Sequence, residues 1–152
     1  MKKLWSLFVF AALSVVAFTS CETGTDEQNL LVGQWKITNT QGYVKVGSEV
    51  IEEWNEPYED DELIMFTSNG VMLSYLYDDG LWELDERGRY NQVDDKLVYT
   101  LDGEDDVYII NVKQLTKDKL ILELNETTEE DGMIIEISES MIYKKVQINL
   151  IK

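Results

Sequence analysis

Short runs in which apolar and polar residues alternate recur along this chain, and they constrain its fold more than any other feature. Val71, Leu73, Tyr75 and Tyr77 occupy every second position of one run, and residues 120–124 alternate in the same way. Because successive side chains of an extended strand point to opposite faces, a period of two predicts β-strands. The chain is therefore expected to fold as sheet.

Turn signals separate the runs. Ser-Asn-Gly at residues 68–70 and Asp-Asp-Gly at residues 78–80 suit tight hairpins, since Asn, Asp and Gly tolerate positive φ. Strands are predicted at residues 30–38, 63–67, 71–77, 81–85, 96–101, 107–115, 120–124 and 133–146. Many short strands at regular spacing indicate an all-β barrel or sandwich.

Residues 41–61 are the exception, being long and less regular. Ser48 is a candidate N-cap of a short helix in which Val50, Ile51 and Trp54 share a face and which ends before Pro57. The alternation of residues 43–46 fits an extra strand equally. A short helix or a loop is the favoured interpretation of this first long connection.

The first 21 residues have the layout of a secretory signal peptide. Residues 1–3 are positively charged, residues 4–18 are mostly apolar, and residues 19–20 are small. The apolar run is too short for a membrane span, which needs about 20 residues. Cys21, the single cysteine, follows at once. The segment resembles the lipobox of bacterial lipoproteins, in which this cysteine carries the lipid, although Phe18 departs from the usual Leu or Val.

This layout predicts a domain organisation. Residues 1–20 would be the signal peptide, residues 21–29 a polar tether and residues 30–152 one folded domain. A single cysteine also excludes an intrachain disulfide. We expect a protein of the cell envelope, attached to the outer membrane through lipid at Cys21.

Composition narrows the function. The formal net charge is −17, and loss of Lys2 and Lys3 with the leader makes the chain more acidic still, so nucleic acid is not an expected partner. The chain has no histidine, which removes the commonest general base and the ordinary zinc sites. There is no Gly-rich phosphate loop, and no spacing selects a catalytic carboxylate pair. We expect a protein that is not an enzyme and needs no cofactor.

The order of several short motifs resembles the lipocalin-like domains of Bacteroidetes lipoproteins. A Gly-x-Trp opens the first strand, a Phe-x-x-x-Gly hairpin and a second Gly-x-Trp follow, and the last strand ends near a Tyr-Lys at residues 143–144. The signature residues are Gly33, Trp35, Phe66, Gly70, Gly80 and Trp82. The resemblance covers residues 30–146 and implies an up-and-down antiparallel β-barrel of about eight strands. Acidic residues near position 22 also resemble the stretch that marks surface export in these lipoproteins.

Such a barrel offers an interior for a small, partly apolar ligand. Aromatic residues with hydroxyl or indole groups are the candidates for its walls, if they face inward. These candidates are Tyr75, Tyr77, Trp82, Tyr99, Tyr108 and Tyr143. The leading hypothesis is therefore a lipid-anchored ligand-binding barrel. The alternative is a filled barrel that acts as an interaction protein.

The hypothesis of an interaction protein rests on a predicted acidic rim. In an up-and-down barrel, connections alternate between the two ends, and the acids of residues 49–62, 78–79, 102–106 and 126–131 would share one end. Clustered charge attracts cations or a basic protein partner. Asp102, Glu104, Asp105 and Asp106 are candidate calcium ligands, since calcium prefers oxygen donors.

Overall fold

Nine antiparallel strands form one sheet in a computed structural model that describes residues 30–150. The strands are β1 (Gly33–Val46), β2 (Glu49–Pro57), β3 (Glu62–Phe66), β4 (Val71–Asp78), β5 (Leu81–Val93), β6 (Lys96–Leu101), β7 (Tyr108–Leu115), β8 (Lys119–Glu130) and β9 (Met133–Val146). From β3 to β9 each strand pairs with the next, and β9 returns to pair with β1. Eight strands thus close a barrel, which confirms the predicted up-and-down architecture.

The helix or loop predicted for residues 41–61 is wrong. β1 runs through this region to Val46, and β2 follows after a turn that contains Ser48, the candidate helix cap. Gly47, at φ +60°, supplies the left-handed backbone of the turn. The β-branched residues Val50 and Ile51 favour an extended chain, and pairing with β1 outweighs the weak helical spacing.

β2 belongs to a sheet that projects beyond the barrel. The first residues of β1 pair with β3, whereas residues 39–46 pair with β2. On the other edge of β1, β9 pairs along almost the whole strand, and β8 pairs with β9 as far as Glu130. Residues 39–46, 49–57, 123–130 and 133–140 therefore form a four-stranded sheet, which we call the extension.

A buried apolar cluster fills the end of the barrel where β1 begins. Trp35, Phe66, Leu97, Leu120 and Tyr143 are all at most 1% exposed. Burial of such large side chains contributes strongly to the stability of the fold, since truncating a buried Trp to Ala typically costs about 3–5 kcal/mol. The cluster fixes this end of the barrel.

The indole of Trp35 is held at both its polar and its aromatic parts. Its Nε1 donates a 2.7 Å hydrogen bond to the Leu31 carbonyl, and the Lys145 ammonium lies 4.8 Å from the ring centroid. Trp82, the tryptophan of the second Gly-x-Trp, does not pack beside Trp35. Trp82 pairs with Tyr77 close to the β4–β5 turn, which lies at the opposite end of the barrel.

The predicted hairpins are confirmed. Gly70 closes the β3–β4 turn at φ +78°, and Asp79 and Gly80 take positive φ in the β4–β5 turn. Within residues 30–150, no helix is long and apolar enough to cross a membrane. The predicted signal peptide, the tether and Cys21 lie outside the described residues.

Candidate functional site

A cavity of about 40 Å³ lies inside the barrel. Its walls come from seven of the eight barrel strands, β3 to β9, and are mostly apolar. The lining residues are Ile64, Met72, Ser74, Glu86, Leu97, Tyr99, Ile110, Leu122, Met141 and Tyr143. The apolar wall is broken by a few polar groups, which is the usual design of a small-molecule site.

Three neighbouring strands place one row of side chains on the wall. Ile64 of β3 lies opposite Ser74 of β4, and Ser74 lies opposite Glu86 of β5. Directly paired residues of an antiparallel sheet share a face, so all three point into the cavity. Ser74 is only 7% exposed, and none of the hydrogen bonds in the described residues uses its hydroxyl. The fully enclosed side-chain polar atom without a partner in the described residues is Gln92 Oε1, so the Ser74 hydroxyl itself reaches the cavity space. There it can bond a ligand or a water.

Glu86 brings a carboxylate to this row. Burial raises the pKa of its carboxyl group, and the negative charges of Asp85 and Glu104 raise it further. The shift follows because an apolar, acidic environment disfavours the charged form. Glu86 therefore places a proton-binding acceptor on the cavity wall.

Glu62 provides a second inward-facing carboxylate. It precedes Ile64 by two residues on β3 and is 5% exposed. The Tyr58 hydroxyl donates a 2.8 Å hydrogen bond to its Oε2. Burial raises the pKa of Glu62, nearby acids such as Asp85 add to the rise, and the Tyr58 hydrogen bond opposes it. The pKa of Tyr58 is raised in turn, by burial and by the Glu62 charge.

Three of the six predicted aromatic residues lie at or beside the cavity. Tyr99 and Tyr143 line it, and burial raises the pKa of Tyr99 to about 12. The ring of Tyr108 stacks on Tyr99 with 5.1 Å between centroids, and its hydroxyl donates a 2.6 Å hydrogen bond to Glu104. These residues form one aromatic wall that reaches from the core to the β6–β7 loop.

The inward orientation expected for Tyr75, Tyr77 and Trp82 is wrong. Ser74 faces the cavity, so Tyr75 and Tyr77 lie on the opposite face of β4. Trp82 pairs with Tyr77, and their rings are 5.2 Å apart. Alternation grouped these residues correctly on one face, but both faces of β4 carry apolar residues, so the pattern did not reveal which face points inward.

Sequence reasoning missed the polar residues of the wall. Ser74, Glu86 and Tyr58 were not singled out, and Glu62 was counted among the acids of the rim, whereas it is 5% exposed and faces inward. One signal was available. Glu62 occupies the same face of β3 as Ile64 and Phe66, and both of these apolar side chains are buried. An acid in register with buried residues indicates a carboxylate that faces the core.

The predicted calcium ligands are not brought together. Asp102 pairs with Arg87 at 3.4 Å, and Glu104 accepts the Tyr108 hydroxyl. Within residues 30–150, no group of three or more Asp, Glu or Cys side chains converges as a metal site would require. Asp105 and Asp106 are exposed beside these residues in the β6–β7 loop.

The inner face of the extension continues the cavity wall. Met141 lines the cavity, and Glu139 and Ile137 follow it on the same face of β9. Val44 and Leu124 lie beside them, each half-buried. An apolar track with acidic borders thus leads from the cavity onto the extension.

A glycine of β1 shapes this track. A Cβ at Gly42 would clash with the Trp54 indole and with the Ser138 carbonyl oxygen. Trp54 of β2 is directly opposite Gly42 in the sheet. The absent side chain lets the indole lie flat across β1. A half-buried aromatic ring therefore borders the track at the level of Glu139.

A closed antiparallel barrel with an interior cavity and the Gly-x-Trp core matches a known family. Residues 31–122 match the model of the lipocalin-like domain. The chain belongs to the lipocalin-like domain family. No curated protein matches the chain.

Two solved structures from Bacteroides share the fold of this lipocalin-like protein. One is a lipocalin-like protein from Bacteroides uniformis, with 17% identity and a TM-score of 0.53 over 77% of this chain and 99% of that one. The other is an uncharacterized protein from Bacteroides eggerthii, also with 17% identity and a TM-score of 0.53, over 76% of this chain and 99% of that one. At this identity the similarity concerns the fold alone.

Proposed function

We propose that this lipocalin-like protein is a lipid-anchored envelope protein that binds a small, partly apolar molecule in its barrel. The observation that carries the proposal is Ser74, a residue only 7% exposed whose hydroxyl lies on an otherwise mostly apolar cavity wall without a hydrogen bond in the described residues. Glu86, Tyr99 and Tyr143 line the same space. A ligand with a polar head and an apolar body matches this pattern.

The volume of the cavity limits what enters it. About 40 Å³ holds a few water-sized groups, whereas drug-sized ligands fill pockets of roughly 300–1,000 Å³. Only the head of the ligand fits, and its body would lie along the apolar track of the extension. The cavity wall includes Met72 and Met141, whose unbranched thioether side chains can change conformation to accommodate a ligand.

The anchor is the second part of the proposal. The charged, apolar and small segments that precede Cys21 support it. Two or more acyl chains attach a protein stably, since each buried CH₂ contributes about 0.8 kcal/mol. Cys21→Ala should move the protein from the membrane to the soluble envelope fraction. An uncleaved leader in mass spectra of the wild-type protein would contradict the anchor.

Calorimetry with octan-1-ol tests ligand binding. The wild-type protein should bind it, and Ser74→Val should weaken binding at least about tenfold, because the head loses a hydrogen-bond partner and space. Thr127→Val is the matched control, since it makes the same hydroxyl-to-methyl change on an exposed residue of the extension. Absence of binding to the folded wild-type protein would contradict the proposal.

A second function is favoured by the edge of the extension. Among the described strands, β2 pairs only with β1, and it carries Glu49, Glu52, Glu53 and Glu56 without a basic residue. A basic extended peptide can add to such an edge by main-chain hydrogen bonds, while the glutamates oppose pairing between copies.

A lysine-threonine alternating peptide should therefore bind to β2. A peptide of equal charge with proline at alternate positions should bind less, because proline donates no main-chain hydrogen bond. Equal binding of the two peptides would reduce this second function to nonspecific charge attraction.

A further inference from the structure

The inward-facing surface of the barrel and the extension carries unbalanced negative charge. Glu62, Glu86 and Glu139 share this face, and burial raises the pKa of all three carboxyl groups. Of the basic residues in the described strands, register places only Lys145 on this face. Its ammonium lies over Trp35 and donates a 2.8 Å hydrogen bond to the Leu30 carbonyl, at the far end of the barrel.

The other strand lysines and arginines lie on the outer face. Several of them have acidic partners there: Lys36 pairs with Asp61, Lys45 with Glu136 and Lys113 with Glu123. No described cation therefore neutralises Glu62 or Glu86. A desolvated carboxylate without a cation is costly, and a matching positive charge removes much of that cost.

Ser74 gives an independent reason to place a ligand head at this point. Ser74 is 7% exposed, lines the cavity and lies directly opposite Glu86. A hydroxyl has two lone pairs free to accept. A head with several N–H donors would satisfy Glu86 and Ser74 together, whereas a carboxylate or phosphate head would be repelled by the wall.

The surroundings favour an organic cation over a metal ion. In the described part of the chain, the carboxylates do not converge in groups of three or more. Tyr99 presents an aromatic ring to the cavity, and aromatic faces attract ammonium and guanidinium groups. The adjoining walls are apolar, which suits the carbon skeleton of an amine and not a hydrated ion.

We propose that the ligand is an amphiphilic amine whose ammonium head binds at Glu86 and Ser74, with Glu62 adding negative charge from the neighbouring row. The apolar body extends past Met141 onto the track of the extension. This inference rests on the proposed ligand-binding function and names the chemical class of that ligand.

Three probes of equal chain length test the head group. Octylammonium, octan-1-ol and octanoate differ in charge but not in apolar length. We expect octylammonium to bind the wild-type protein at least about tenfold more tightly than octan-1-ol, because a hydrogen bond between ionised groups is stronger than a neutral one. Octanoate should bind most weakly.

A variant locates the effect. Glu86→Gln keeps the size of the side chain and should remove most of the preference for octylammonium over octan-1-ol. Glu129→Gln, an exposed acid on the outer face of the extension, should keep the preference. If the Glu86→Gln variant keeps the preference for octylammonium, the proposed position of the ammonium head at Glu86 is wrong.

The outcomes separate this inference from the function on which it rests. If octan-1-ol binds as tightly as octylammonium, or octanoate binds best, the barrel binds ligands and the amine class is overturned. If no probe binds the folded wild-type protein, the ligand-binding function itself fails. The wild-type comparison alone decides the head group, even if Glu86→Gln does not fold.

Discussion

Ser74 and Glu86 lie directly opposite each other across β4 and β5, and both side chains face the barrel cavity. One is a hydroxyl without a hydrogen bond in the described residues, and the other is a carboxylate without a cation. In a core that served stability alone, both positions would favour apolar residues. The pair is consistent with the proposed binding site, in which polar groups that recognise a ligand lower the stability of the barrel.

The polar residue Ser74 on the cavity wall predicts that an apolar replacement stabilises the fold. Ser74→Val replaces the unpartnered hydroxyl by a methyl group and fills part of the cavity, so the free energy of unfolding should rise by about 1 kcal/mol. Ser140→Val is the matched comparison. Ser140 is also buried, but its hydroxyl donates to Glu123 at 3.3 Å, and its loss should destabilise by about 1 kcal/mol. Urea unfolding measures both, and equal effects would contradict the assignment of Ser74.

The buried carboxylates predict an unusual pH dependence. Glu62 has a pKa above its ordinary value of 4.5, so the folded state binds its proton more tightly than the unfolded chain does. Its contribution to stability is complete below pH 4.5 and is lost as pH rises through the folded pKa. The protein should therefore become more stable when the pH falls from about 7 to about 5.

A pair of variants isolates Glu62 within that pH dependence. Glu62→Gln should flatten the rise in unfolding free energy at low pH more than Glu129→Gln does, because Glu129 is exposed on the extension. Both variants reduce general charge repulsion equally. Identical pH profiles for the two would show that Glu62 is not held in a desolvated site.

Trp35 should be the most sensitive residue of the core. Trp35→Ala is expected to cost about 3–5 kcal/mol, a large share of the 5–15 kcal/mol typical of a domain. Trp82→Ala should cost clearly less, since Trp82 is only half-buried and packs beside Tyr77. If both changes lower the urea midpoint equally, Trp35 does not anchor the closed end of the barrel.

The fold was largely readable from the sequence because its signals were local. Alternation located the strands, and the Asn-Gly and Asp-Gly turns located the hairpins. The family motif at Trp35 then indicated how the strands close into a barrel. Pairing between distant segments could not be predicted. β2 is a strand because it pairs with the long β1, and the residues near Ser48 do not show that this pairing partner is available.

The site was harder to read than the fold. Tyr99 and Tyr143 were placed at the cavity because aromatic residues mark apolar walls. Ser74 and Glu86 were missed because a buried polar residue looks like a solvent-facing one until the register shows which face is inward. The three aromatic residues wrongly placed inside share that cause.

The acidic end of the barrel predicts a response to salt. Turns at residues 79–80, 102–107 and 131–132 lie at one end, beside the glutamates of the extension. Because repulsion among these charges is screened by salt, the melting temperature should rise with ionic strength. Calcium at millimolar concentration should act like a monovalent salt of matched ionic strength. A calcium-specific rise would instead indicate binding to the folded state.

The claim that the barrel holds a small amphiphile is tested most directly by native mass spectrometry of the protein purified gently from its own host. We expect the wild-type chain to carry one small molecule that is released on denaturation, and the Ser74→Val variant, purified in the same way, to lack it. Spectra in which wild type and variant both show only the bare chain would contradict the claim.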